Sequence, residues 1–174
     1  MTSASDETSR RTVMAAAVAG LAGLAAPALA APRDLKLAEL SKEADDACVY
    51  QCDIREPPRF VQMLTNIANH YSAYGADPFA LQLAIVAHGQ GVKFFLESLE
   101  ETTWRDEVMV PKIFERVEDV AKNGLKVHLC EITFSRLKLD KAKARNAPFI
   151  SFVPSGVATV AALQSKGFAY MKIG

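Results

Sequence analysis

Three residue positions could do chemistry where a strand ends: Cys52, His88 and Cys130. Cys130 closes the run Leu125-Lys126-Val127-His128-Leu129-Cys130. By the two-residue period of a strand, Leu125, Val127 and Leu129 face one way, and Lys126, His128 and Cys130 the other. A cysteine where a strand gives way to a helix sits at the positive end of that helix's dipole, a setting that makes a thiol a nucleophile. The competing reading is a packed, inert thiol, because free cysteine is among the most buried residue types. His88 stands in Ala87-His88-Gly89-Gln90-Gly91. The glycines let backbone approach a ligand, and the imidazole can donate a hydrogen bond or shuttle a proton. A turn histidine that satisfies a backbone group is the alternative. Cys52 and Cys48 share one short apolar run, Ala47 to Asp53. Four residues of strand span roughly 13 Å, and a disulfide needs Cα atoms within about 7 Å, so these two cannot bridge each other. A bridge between Cys52 and Cys130 would need adjacent strands, about 4.8 Å apart; the sequence leaves that open. Sulfur and imidazole would suit zinc or copper, but no close ligand pair marks a metal site, and none is expected. The histidine turn is neither a dinucleotide fingerprint nor a phosphate loop with its lysine, so no nucleotide cofactor is expected either. Ser155 in Val153-Pro154-Ser155-Gly156-Val157 reads as a helix cap rather than a nucleophile, since the flanks lack the nucleophile-elbow pattern.

The elements that must hold these residues alternate. Strands are predicted at Ala47–Asp53, Phe79–Ala87, Leu125–Cys130, Phe149–Val153 and Phe168–Ile173. Between them, Arg59–Tyr74 carries apolar residues at helical spacing, at Phe60, Leu64, Ile67, Ala68 and Tyr71, and Gly75 stops it. Val92–Leu99 reads as a short amphipathic segment, Glu107–Asn123 as a strong helix, Ile132–Leu139 as a short one, and Ser155–Lys166 as a capped one. Phe94, Phe95, Leu96 and Leu99 could form a subunit contact or a stripe facing the core. Strands alternating with helices predict an α/β domain, a three-layer sandwich around a mainly parallel five-stranded sheet. Right-handed crossovers then bring all strand carboxyl ends to one edge, where open sheets bind their ligands.

Residues 1–30 read as an address. Ser9-Arg10-Arg11-Thr12-Val13-Met14 is a twin-arginine pattern, followed by a run rich in Ala and Gly and closed by Ala28-Leu29-Ala30 as a small-x-small cleavage site. The run is short for a bilayer span and Pro27 interrupts it. The expectation is export by the twin-arginine route to the periplasm, with no membrane attachment after the signal is removed. Residues 31–46 are charged and read as a linker or short helix, and residues 47–174 as one domain, a size that supports its own core. The full chain has 20 basic and 20 acidic residues. Without a basic stripe, nucleic acid is not an expected partner.

Four spaced segments resemble the DsrE/DsrF-like family. They are Asn66-Ile67-Ala68-Asn69 with Ala73-Tyr74-Gly75; Ile85-Val86-Ala87-His88-Gly89; Gly124-Leu125-Lys126-Val127 leading to Cys130; and Val153-Pro154-Ser155-Gly156-Val157 with Leu163-Gln164 and Gly167-Phe168-Ala169-Tyr170. The resemblance implies a flavodoxin- or Rossmann-like topology of the DsrE type. It also implies that Cys130 matches the family's usual cysteine, which carries sulfane sulfur as a persulfide in the sulfur-relay members, and that the chain forms a trimer or hexamer with a protein as sulfur donor or acceptor. Glu131-Ile132-Thr133-Phe134 replaces the small, polar segment that often follows this cysteine in envelope-targeted relatives, and Cys48 and Cys52 are additions to the pattern.

The resulting expectation is a periplasmic, sulfurtransferase-like carrier in which Cys130 accepts and passes on sulfur, His88 assists proton transfer and Cys52 resolves. The alternative is a non-catalytic oligomeric binding or assembly module with a small-ligand or metal pocket at the same edge.

Overall fold

A computed structural model describes residues 32–173. The export leader expected at residues 1–30 lies outside them. Six strands form one parallel sheet in the order β1-β5-β4-β3-β2-β6: β1 (Arg33–Asp34), β2 (Asp46–Cys52), β3 (Leu81–Ala87), β4 (Lys126–Cys130), β5 (Ile150–Val153) and β6 (Ala169–Lys172). The helices are α1 (Pro57–Ala73), α2 (Ile113–Ala121), α3 (Glu131–Arg136) and α4 (Gly156–Ser165), with a 3-10 turn at Gly89–Phe95.

The sheet has six strands, not the five expected. The sixth, β1, comes from the stretch read as a linker, and Arg33 and Asp34 pair with Ser151 and Phe152 of β5. Two residues cannot show an alternating pattern, so this strand has no sequence signature of its own. Leu35 and Leu40 beyond it are buried in the core.

Period-two alternation divides the core between the two faces of the sheet. Tyr50, Cys52, Leu83, Ile85, Val127, Leu129 and Phe152 pack under α1, α2 and the 3-10 turn. Val49, Ala84, Val86 and Val153 pack under α4 and the segment after β1. Helix α1 buries Phe60, Met63, Leu64, Ile67 and Tyr71, one face of a 3.6-residue period, and opens with proline, whose missing N–H costs nothing at a helix start. Its Phe60 ring stacks on Phe94, with ring centroids 4.1 Å apart. Phe94, Phe95 and Leu96 are buried, so this stripe faces the core.

The helix expected over 107–123 is shorter, because α2 starts at Ile113. Pro111 biases the residue before it away from the helical region, and Lys112 takes a left-handed φ of 58° at the helix start. The stretch from Glu97 to Val110 is thereby left without regular structure. Trp104 anchors it, buried and donating its indole N–H to Gln90 Oε1 at 2.6 Å. Glu107 pairs with the buried ammonium of Lys93. Among the described residues no helix is long and apolar enough to cross a membrane.

Candidate functional site

The outgoing connections of neighbouring strands β4 and β5 diverge. Helix α3 follows β4 and places Phe134 on Phe152 under the α1 face, the rings edge-on with centroids 5.1 Å apart. Helix α4 follows β5 and covers the other face. A crevice opens where such connections part, the position at which open α/β sheets bind ligands. It is a cavity of about 370 Å³. Cys130, Thr133 and Arg136 line it from the β4 side, Ser155 and Gly156 from the β5 side, and His88 from the end of β3.

Register and pleat together place Cys130 beside His88. Ala87 of β3 pairs with Leu129 of β4. One residue further on, His88 therefore lies opposite Cys130, about one strand spacing of 4.8 Å away. Both have the parity of Val86 and His128, so both project to the α4 face. Gly156 at the start of α4 fits between them: a Cβ there would lie 2.8 Å from His88 Cβ and 3.2 Å from Cys130 Cβ. Only glycine lets the helix start approach this closely. Ser155 caps α4, its Oγ accepting from the Ala158 N–H at 3.4 Å. Cys130 is 5% exposed. Thr133 Oγ1 accepts from the Gly89 N–H at 3.0 Å and ties α3 to the histidine turn.

A polar row runs across the sheet behind His88. Gln51 donates through Nε2 to His88 Nε2 at 2.9 Å and to Asp53 Oδ2 at 3.3 Å, and the Tyr170 hydroxyl donates to Gln51 Oε1. With both amide hydrogens and the amide oxygen of Gln51 engaged, His88 Nε2 must accept. Its proton then sits on Nδ1. Burial holds the His88 pKa below its ordinary value; Asp53 opposes this and Lys172 reinforces it. The imidazole is therefore neutral at pH 7, able to donate from Nδ1.

Cys52 is elsewhere. Strand β3 lies between β2 and β4, which sets Cys52 and Cys130 roughly 10 Å apart, two strand spacings. They also face opposite sides of the sheet. A disulfide between them does not fit this geometry, and all three cysteines are free. Cys52 is fully buried against Gly91, and burial pushes its thiol pKa up to about 12. A Cβ at Gly91 would lie 2.1 Å from the Cys52 carbonyl oxygen and 2.8 Å from Sγ. Cys48 is buried on the same face. Among the described residues no group of three or more His, Cys, Asp or Glu could hold a metal ion. His128 shares the Cys130 face, as the strand period required, but lies deeper, where its Nδ1 is hydrogen-bonded to Ser151 Oγ at 2.8 Å.

Sequence reasoning missed Gln51, Tyr170, Gly156 and Arg136. For Gln51 a signal existed: it is the lone amide in an apolar strand, and its parity is opposite to that of Cys52. For the other three the roles depend on which strands are neighbours.

The DsrE/DsrF-like family matches residues 55–173. The chain belongs to that family. Membership suggests a sulfur-relay-type role. Among solved structures, the chain is similar to a protein of unknown function from Methanobacterium thermoautotrophicum, with 18% identity and a TM-score of 0.58 over 74% of this chain and 99% of that one. At that identity the likeness shows the fold alone. No curated protein matches the chain. The DsrE/DsrF-like match begins after β2 and takes in His88, Cys130 and Gly156, whereas Gln51 and Cys52 precede it.

Proposed function

We propose that this DsrE/DsrF-like protein relays sulfane sulfur as a persulfide on Cys130, with His88 holding or returning a proton at Nδ1. The observation that carries the reading is the juxtaposition of Cys130 and His88, on one face, at the carboxyl edge, beside a cavity large enough for a small substrate. A thiolate is the nucleophile toward another sulfur, and a persulfide is a reversible cap on it. Attack by Cys130 Sγ on a sulfane sulfur forms one S–S bond and breaks another. The electron pair of the broken bond leaves with the donor's sulfur. His88 is placed to protonate that leaving sulfur or to stabilise the terminal persulfide. Cys52 has no part in this step, being on the opposite face with β3 between.

The reading includes export by the twin-arginine route to the periplasm, on the strength of Ser9-Arg10-Arg11-Thr12 and Ala28-Leu29-Ala30, and assembly into a homo-oligomer, on the strength of the family resemblance. The test is intact mass of the purified protein before and after polysulfide, with a Cys130→Ser control. A gain of sulfur masses that vanishes in Cys130→Ser supports the relay. The rival reading, a non-catalytic binding or assembly module, draws on the slight exposure of Cys130 and on the exposed apolar side chains Ile132 and Val157 at the cavity rim. An unchanged mass, together with a Cys130 inert until unfolding, would establish that rival.

A further inference from the structure

The cavity at Cys130 has an uneven chemistry. Ile132, Leu137 and Val157 contribute apolar wall, while Gln90, Thr133 and Ser155 are neutral. Arg136 is the one formally charged residue in its lining. The acids nearest the cavity are already taken: Glu131 pairs with Lys141, which also reaches Asp34 at 2.7 Å, and Asp53 pairs with Lys172 at 3.5 Å. Among the described residues Arg136 has no acidic partner. A guanidinium left over beside an apolar pocket matches a carboxylate, which it can bind through two parallel hydrogen bonds. Arg136 lies six positions beyond Cys130, about 9 Å along the helix axis. That distance can be spanned by a short thiol with its sulfur at one end and its anionic group at the other.

Resting on the relay reading, we infer that Arg136 makes this cavity select anionic reagents at Cys130, and that the sulfur donor is a small organic persulfide carrying a carboxylate. In the step, Cys130 Sγ as thiolate attacks the outer sulfur of R–S–SH. The Sγ–S bond forms as the S–S bond of the donor persulfide breaks, the proton stays on the transferred sulfur, and R–S⁻ departs with the electron pair. One sulfur is oxidised as the other is reduced, so no further oxidant or reductant enters. Arg136 holds the carboxylate of R throughout and is a specificity-determining residue. The cavity's concave shape and the near-burial of Cys130 favour a small molecule over a protein-borne persulfide, which would have to reach inside.

The experiment compares two pairs of isosteric reagents on the purified protein: mercaptopropionate persulfide against the persulfide of its neutral amide, followed by intact mass, and iodoacetate against iodoacetamide, followed by the rate of Cys130 alkylation. After correction for intrinsic reactivity, the acid of each pair should be favoured roughly fivefold, the effect of about 1 kcal/mol from a partly screened charge. The preference should shrink in high salt. Arg136→Gln should bring both ratios to about one by slowing the acid alone, and Arg136→Lys should keep most of the preference. Equal loading by acid and amide, or a preference that survives Arg136→Gln, overturns the inference while leaving the sulfur relay intact. Loading only from a protein-borne persulfide overturns it in favour of a macromolecular donor. An iodoacetate preference that depends on Arg136, with no persulfide loading by either reagent, supports the anion selectivity and removes the relay instead.

Discussion

Cys52 and Cys130 both end a central strand, and the molecule treats them in opposite ways. Cys130 projects to the α4 face, beside His88 and the cavity, where Gly156 keeps the start of α4 close without filling the space. Cys52 projects to the α1 face, where the 3-10 turn closes over it and Gly91 presses on its backbone and sulfur. Topology brings both to one edge, and pleat parity then decides which is beside a cavity and which is sealed. Position at a carboxyl edge is thus not sufficient for a site: an odd or even step in the strand separates a cysteine beside a cavity from one sealed in the core.

The comparison can be broken most directly by alkylation of the folded protein. Cys130 should label while Cys48 and Cys52 stay protected, and protection by an opening that costs about 3 kcal/mol slows labelling by roughly a hundredfold. Equal rates at Cys52 and Cys130, read by mass mapping, would erase the distinction. The two glycines give a second contrast. Gly91→Ala drives a Cβ into the backbone carbonyl of Cys52 and should cost about 3 kcal/mol in urea unfolding. Gly156→Ala meets His88 Cβ at 2.8 Å and Cys130 Cβ at 3.2 Å, atoms held by the strand ends, so the start of α4 must move away; about 2 kcal/mol is expected, with a change in the rate of Cys130 alkylation beside it.

Comparable in size to the Gly91→Ala cost is the pH response of the α4 face. Burial first, and then Lys126, bring the His128 pKa down to about 4 from an ordinary 6.5. Between those values the unfolded chain binds the proton and the folded chain does not, so stability rises with pH across this window and is lost as pH falls through it. The loss should approach about 3 kcal/mol near pH 4, with His88 adding in the same direction. His128→Asn should flatten that slope in urea midpoints measured from pH 7 to pH 4. An unchanged slope would show that the titration arises elsewhere.

Much of this was legible in advance. Five of the six strands were placed within about two residues of their ends, because alternating or continuous apolar runs bounded by Gly, Pro and Asp carry a local signal. The shared face of His128 and Cys130 followed from strand period alone. The helix expected over 107–123 failed where Pro111 and a left-handed Lys112 overrode a good apolar period. Strand β1 was invisible because a two-residue edge strand is made by its partner β5 and not by its own side chains.

By itself, then, the sequence determined the α/β class, the strand-end positions of Cys52, His88 and Cys130, and the parity that sets Cys130 apart from Leu129, since each depends on residues within a few positions of one another. Only the tertiary structure decided that β3 stands between Cys52 and Cys130, that Gln51 and Tyr170 fix the proton of His88, and that Gly156 and Arg136 line the cavity at Cys130. Those relations depend on strand order and on which face each crossover takes, and such pairings join segments far apart in the chain without leaving a local pattern for any single stretch to display.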